Sequence, residues 1–197
     1  MDIIHAIELF ALVTGLAYVV LEILQKNVMW VVGVLSGAAC AYSFGIQHNW
    51  GMMGINVYYV VMSIIGLWKW RRDGAAVGAG EIHLRPLPGR TVLWSAVIYV
   101  AGSVAFAFLL RLGGDQVPVL DAMASVLSVI ATWWLAQSYL QQWLLWIVAD
   151  VLTTVLCLVT GQYALAILYI AYVFSAVYGY VHWKKRGIEL TLQDNGI

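Results

Sequence analysis

Three residues in one apolar stretch, Trp143, Trp146 and Asp150, carry the chemistry most at odds with their surroundings. On a helix they fall at i, i+3 and i+7, so two indoles and a carboxylate share a face. Aromatic faces beside a carboxylate suit a flat organic cation, with cation–π attraction contributing about 0.5–2 kcal/mol per contact. An ionisable group in the middle of a membrane span costs about 2.5–3.5 kcal/mol on insertion scales, so it is kept where it faces a cavity or a partner. The competing readings are structural. The indoles would be interfacial anchors, and Asp150 would hydrogen-bond a Thr or Tyr on a neighbouring helix or stay protonated and uncharged.

Further polar groups sit in other apolar runs. Asn56 and Tyr59 are one helical turn apart, and Tyr169 and Tyr172 repeat that spacing later in the chain. Inside a bundle such groups tie helices together, at about 0.6 kcal/mol on average, or line a pathway. Pathway lining is favoured for Asn56 and Tyr172 and left open for Tyr59 and Tyr169. Glu8, Glu22 and Asp121 lie nearer the ends of their runs, as solvated ends or structural hydrogen-bonding groups. Gly33-x-x-x-Gly37 permits close helix approach. Trp133 and Trp134 are adjacent and must face different ways. His5, His48, His83 and His182 are scattered, which argues against a metal site. Cys40 and Cys157 read as small apolar residues rather than a disulfide. No catalytic cluster and no cofactor motif is present.

The elements that position these residues follow from composition. Of 197 residues, 63% are hydrophobic and 10% charged, and the mean hydropathy is +0.86. A soluble protein cannot bury so much apolar surface with so little charge left for its exterior, so the chain is an integral membrane protein. Its net charge of zero points to neither nucleic acid nor a polybasic lipid-binding surface. The first apolar stretch lacks a basic leader and reads as a retained helix rather than a cleaved signal.

Apolar runs fall at 3–24, 28–44, 54–70, 91–110, 118–136, 143–159 and 164–183, each near the roughly 20 residues a spanning helix needs. This gives an all-α integral membrane fold with seven transmembrane helices. The links are short except 73–90, whose Gly, Ala and Pro content resembles a mobile cytoplasmic connector. Lys26, Arg71, Arg72, Arg85, Arg90, Lys184, Lys185 and Arg186 fall on one side of this arrangement, with Arg111 alone on the other. The positive-inside rule then puts the N-terminus outside and the C-terminus in the cytoplasm.

An internal repeat is visible. Tyr59, Gly66, Trp70, Arg71 and Arg72 match Tyr172, Gly179, Trp183, Lys184 and Lys185 at a constant offset. Trp30 aligns with Trp146 if a three-residue difference is placed in the following loop, which pairs Asp150 with Val34. Two parallel three-helix repeats joined by one connecting helix result (3+1+3), an organisation used by transporters with the substrate site near the midplane. The expected boundaries are 1–72 for the first unit, 73–117 for linker and connecting helix, 118–186 for the second unit and 187–197 for a cytoplasmic tail. The bland alternative is that Trp followed by bases marks the membrane interface, but anchoring does not require the matched Tyr and Gly.

Seven spans in this order, Trp143-x-x-Trp146-x-x-x-Asp150, and the ending Tyr169-x-x-Tyr172 to Gly179-x-x-x-Trp183-Lys-Lys resemble the Pnu-type vitamin transporters. The resemblance covers most of the chain, and the Trp-x-x-Trp face is its most specific part. It implies an architecture similar to the sugar-transporting SWEET proteins, facilitated diffusion of a vitamin, trapping by a cytoplasmic vitamin kinase, and a homotrimer in a bacterial inner membrane. Substrate-binding residues on this view are Trp143, Trp146, Asp150, Asn56, Tyr59, Tyr169 and Tyr172. Nicotinamide riboside carriers of this family usually have Asn where this chain has Asp150. Thiamine is therefore the alternative to nicotinamide riboside, and other members take riboflavin or deoxynucleosides. A membrane subunit of a multi-component importer fits the repeat less well. A membrane-embedded lipid enzyme is the alternative of another class, but such enzymes need clustered carboxylates, paired histidines or a nucleophile beside its base.

Overall fold

The computed structural model describes residues 15–46, 50–78 and 80–190. Helix α1 is described over 15–23, and His5, Glu8, His48 and the end of the expected tail lie outside the described residues. Then follow α2 (Val28–Ile46), α3 (Trp50–Val77), β1 (Ile82–Leu84), α4 (Gly89–Leu112), α5 (Pro118–Ala136), α6 (Gln142–Val159), α7 (Tyr163–Arg186) and β2 (Gly187–Glu189). Among the described residues, the helices α4, α5, α6 and α7 are each long and apolar enough to cross a membrane. Seven helices in the expected order account for nearly all of the described chain.

Local sequence explains the breaks. Pro118 opens α5, where its missing N–H is not needed. The loop before it is fixed by the Val117 N–H donating to Asp115 Oδ1 at 2.7 Å. Between α6 and α7, Gly161 takes φ +75°. This lets the Gln162 N–H reach back to the Cys157 carbonyl at 2.7 Å and close the helix end. Helix α3 outruns its apolar stretch because Arg71, Arg72, Ala75 and Ala76 sustain a helix in water as readily as apolar residues do in lipid.

The chain divides into two compact units. The first comprises Met1–Leu84, Ala136–Ser138 and Arg186–Ile197, and the second Arg85–Leu135 and Tyr139–Lys185. In the first, Gly33 and Gly37 bring α2 against α3. A Cβ at Gly33 would lie 2.5 Å from Ser63 Oγ, and one at Gly37 would lie 2.9 Å from Val60 Cγ2. Trp30 is completely buried, with its ring over Gly66 and edge-on to Trp70 at 5.0 Å and 78°.

The segment 73–90 differs from the loop expected of its composition. It carries β1, whose three residues are all buried, and β1 pairs in parallel with β2, Ile82 opposite Gly187. The Gln25 side chain holds the strand from the other side. Its amide nitrogen donates to the His83 carbonyl at 3.0 Å, and its amide oxygen accepts from the His83 N–H at 2.8 Å. The Lys69 ammonium donates to the Gln137 side-chain oxygen in the same unit.

In the second unit, Trp134 is buried and donates to Ser95 Oγ at 3.0 Å. Trp133 is 38% exposed, so the two adjacent indoles do face different ways. Ser125 Oγ donates to Asp121 at 3.0 Å, a structural hydrogen bond within α5. Cys40 and Cys157 are both free thiols.

Candidate functional site

The constant offset of the repeat extends further in the structure than in the sequence. Trp143 is 2% exposed, its ring lies over Gly179, and it meets Trp183 edge-on at 5.4 Å and 88°. This is the Trp30–Gly66–Trp70 arrangement again, at the same offset. Trp30 therefore corresponds to Trp143, not to Trp146, and no three-residue adjustment is needed. The sequence alignment failed here because two tryptophans within one turn compete for one partner. A second marker agrees: Gln25 (φ 49°) and Ser138 (φ 60°), the non-glycine residues with positive φ among those described, stand at the same offset.

The corrected register changes what faces what. Trp146 takes the place of Gly33, and Asp150 that of Gly37. Where the first unit has two glycines that close α2 onto α3, the second has an indole and a carboxylate. Neither Trp146 nor Asp150 is required by the packing that both units share. Trp143, by contrast, holds the position that both units fill with a buried tryptophan.

Around this substitution α7 presents Tyr169, Tyr172, Ala176, Gly179 and Trp183 along one stripe, with Ala176, Gly179 and Trp183 buried and the tyrosines half-buried. Tyr169 and Tyr172 meet edge-on at 5.7 Å and 86°, and Tyr172 lies within electrostatic reach of Asp150. Asp150 is 7% exposed. The nearby Thr154 hydroxyl donates to the backbone carbonyl of Asp150 at 2.7 Å, so this threonine is committed to the backbone rather than to the carboxylate. The indole N–H of Trp146 is buried and, among the described residues, has no hydrogen-bond acceptor, as is also true of Trp30 and Trp143. A buried donor left unmatched costs about 1–3 kcal/mol, and an acceptor on a bound molecule would satisfy it.

Five of the residues singled out from sequence thus lie in the second unit: Trp143, Trp146, Asp150, Tyr169 and Tyr172. Asn56 and Tyr59 lie in the first, at the positions equivalent to Tyr169 and Tyr172. Tyr59 adjoins Tyr58 at 5.6 Å. Sequence reasoning missed the partners that Tyr59 has in its own unit, where Tyr18 is within electrostatic reach of both Tyr59 and Glu22. Glu22 is buried rather than solvated. The spacing Tyr18-x-x-x-Glu22, one helical turn, was the available signal. Among the described residues no three His, Cys, Asp or Glu side chains gather as a metal site would require.

Comparison with known proteins gives a consistent result. A family model described as "Nicotinamide mononucleotide transporter" matches residues 5–185. The nicotinamide riboside transporter PnuC of Neisseria mucosa is 30% identical over 185 residues, spanning 89% of this chain and 70% of that one. Its Escherichia coli namesake is 26% identical over 209 residues, covering 93% and 87%. Among solved structures, the crystal structure of the vitamin B3 transporter PnuC aligns with a TM-score of 0.67 and 29% identity, covering 89% of this chain and 79% of that chain.

Proposed function

Given that this chain belongs to the nicotinamide mononucleotide transporter family and is a membrane transporter, we propose that it carries nicotinamide riboside across a bacterial inner membrane. The observation that carries this reading is the replacement of Gly33 and Gly37 by Trp146 and Asp150 at the equivalent positions. It puts an aromatic plane, an unmatched N–H donor and a carboxylate where the shared packing requires none of them. Nicotinamide riboside supplies the complement: a flat pyridinium for the indole and tyrosine rings, fixed positive charge for Asp150, and a carboxamide and ribose hydroxyls for hydrogen bonds.

Within this proposal Trp146, Asp150, Tyr169 and Tyr172 contact the substrate, and Trp143 backs them from its seat on Gly179. Asn56 and Tyr59 line the pathway from the first repeat. The two repeats are parallel three-helix units joined by α4, a 3+1+3 order with expected boundaries 1–72, 73–117, 118–186 and 187–197. The matched tryptophan–glycine seats and positive-φ turns support it. The N-terminus is outside and the C-terminus cytoplasmic, as the basic residues indicate. The chain is read as a carrier and not as an enzyme. Transport is facilitated diffusion, with phosphorylation by a cytoplasmic kinase retaining the substrate, and the assembly is a homotrimer.

The test is a thermal-unfolding screen of detergent-purified protein with nicotinamide riboside, thiamine, riboflavin and deoxynucleosides, followed by uptake into liposomes without ATP. A selective ligand raises the melting temperature by mass action. Selective stabilisation by thiamine would move the substrate assignment to that cation while leaving the aromatic–carboxylate site in place. Stabilisation by none of the four would overturn the vitamin reading.

A further inference from the structure

A cavity of about 360 Å³ opens in the first unit, remote in sequence from Trp146 and Asp150. Its walls come from the α1–α2 turn, the end of α3 and the loop leading into β1. Gln25, Lys26 and Asn27 line it from the turn, Arg71 from α3, and Glu81 and His83 from the β1 side. The volume falls in the usual range for small-molecule pockets. Its wall is fixed rather than loose: Gln25 makes both amide hydrogen bonds to the His83 backbone, and the His83 ring stands edge-on to Trp70 at 5.9 Å.

Two observations separate this cavity from an ordinary surface recess. The first is the repeat. The turn at Gln25-Lys26-Asn27 recurs as Ser138-Tyr139-Leu140, with the same positive φ at its first residue. The second turn forms without an amide or a cation, so the turn itself does not demand the polar triplet of the first. The second observation is Asn27. Its Oδ1 is buried with no hydrogen-bond donor among the described residues, while Lys26 and Arg71 put two cations against the single carboxylate of Glu81.

We propose that this cavity binds a phosphate ester that carries a free hydroxyl. Lys26 and Arg71 supply charge-assisted hydrogen bonds to the phosphate, the guanidinium in a two-pronged fork that matches phosphate oxygens. Asn27 Oδ1 is an acceptor and needs a donor, which the ionised phosphate group of an ester lacks and a sugar or glycerol hydroxyl on the same molecule provides. A nucleoside monophosphate in solution and the headgroup of phosphatidylglycerol share this chemistry. The proposal does not depend on the identity of the transported substrate.

The experiment measures thermal unfolding of the full chain in two arms. In neutral detergent, adenosine monophosphate is compared with adenosine and with methyl phosphate, an ester without a free hydroxyl. In nanodiscs, phosphatidylglycerol mixed with phosphatidylcholine is compared with phosphatidylcholine alone. The proposal expects a rise in melting temperature of about 2–4 °C with the monophosphate, the phosphatidylglycerol discs or both, and little with adenosine. The rise shrinks as salt is added and disappears in the Lys26→Gln/Arg71→Gln double variant. A stabilising effect in only one arm identifies that source. Asn27→Leu, which installs the residue found at the equivalent turn, keeps phosphate binding but erases the preference for the monophosphate over methyl phosphate. No rise in either arm, or a rise that persists undiminished in the double variant, overturns the proposal. Stabilisation by nicotinamide riboside, measured in parallel, reports separately on the transport site.

Discussion

The indole of Trp143 lies over Gly179 so closely that a Cβ there would fall 2.6 Å from the ring, and Trp30 stands in the same relation to Gly66 at 2.5 Å. Each pair seats a fully buried tryptophan in a gap that only glycine leaves open. Gly179→Ala and Gly66→Ala should each destabilise the protein by about 1–3 kcal/mol, the usual cost of overpacking. Thermal unfolding in detergent checks this, with a fall of about 2–4 °C for each kcal/mol in a chain of this size. Unchanged melting temperatures would mean that each seat has room for a methyl group.

Asp150 stands where the first unit has Gly37, so its carboxylate is spare to packing. Asp150→Ala should abolish uptake of a cationic vitamin into liposomes while the protein stays folded. Asp150→Asn should retain binding but change the preference between nicotinamide riboside and thiamine, because an amide replaces charge with hydrogen bonding alone. Full uptake by the alanine variant would remove the carboxylate from the site.

Trp146 offers both a ring face and an unmatched N–H. Trp146→Leu keeps an apolar side chain of substantial size and removes both. Substrate affinity, read by calorimetry, should fall by about 2- to 30-fold, which corresponds to losing about 0.5–2 kcal/mol of stacking and cation–π attraction. An equal loss of affinity for a neutral analogue would attribute the effect to shape rather than charge.

Gln25 and Ser138 adopt the same strained backbone region at equivalent turns, yet their side chains have opposite consequences. Ser138 is completely buried, and among the described residues its hydroxyl has no hydrogen-bond partner. Ser138→Gly relieves both the left-handed backbone and the unmatched hydroxyl and should stabilise by about 1 kcal/mol. Gln25→Gly relieves the same backbone but deletes two buried hydrogen bonds to β1, so the net effect should be destabilising. Hydrogen exchange at His83 and Leu84 should accelerate in the Gln25 variant alone.

Much of this was legible in the sequence because lipid imposes simple rules. Apolar runs gave the helices of the second half of the chain to within a few residues, since a run ending at a turn residue has little freedom to end elsewhere. The Tyr59/Tyr172 and Gly66/Gly179 matches were readable because each keeps a fixed distance from the tryptophan and two bases that end its run. In sequence Trp30 aligns with Trp146 as readily as with Trp143, because composition cannot say which of two nearby tryptophans has a glycine opposite it. Strands β1 and β2 were not readable at all. Three-residue strands have no periodicity to detect, and their stability comes from each other and from Gln25, far away in the sequence. For the same reason the buried placement of Glu22 was invisible: nearness to the end of an apolar run says nothing about what folds back over it.

The pairing of β1 with β2 also has a consequence for biosynthesis. The first unit contains residues 82–84, which precede α4, and residues 187–189, which follow α7. While the ribosome is still producing α4 to α7, β1 therefore has one edge of unpaired backbone groups, the kind of edge that invites wrong partners. The N-terminal unit is begun first and closed only after α7 has been made. Assembly thus runs against the vectorial order in which domains usually complete themselves during synthesis, and β2, made after α7, acts as a latch that closes the first structure begun.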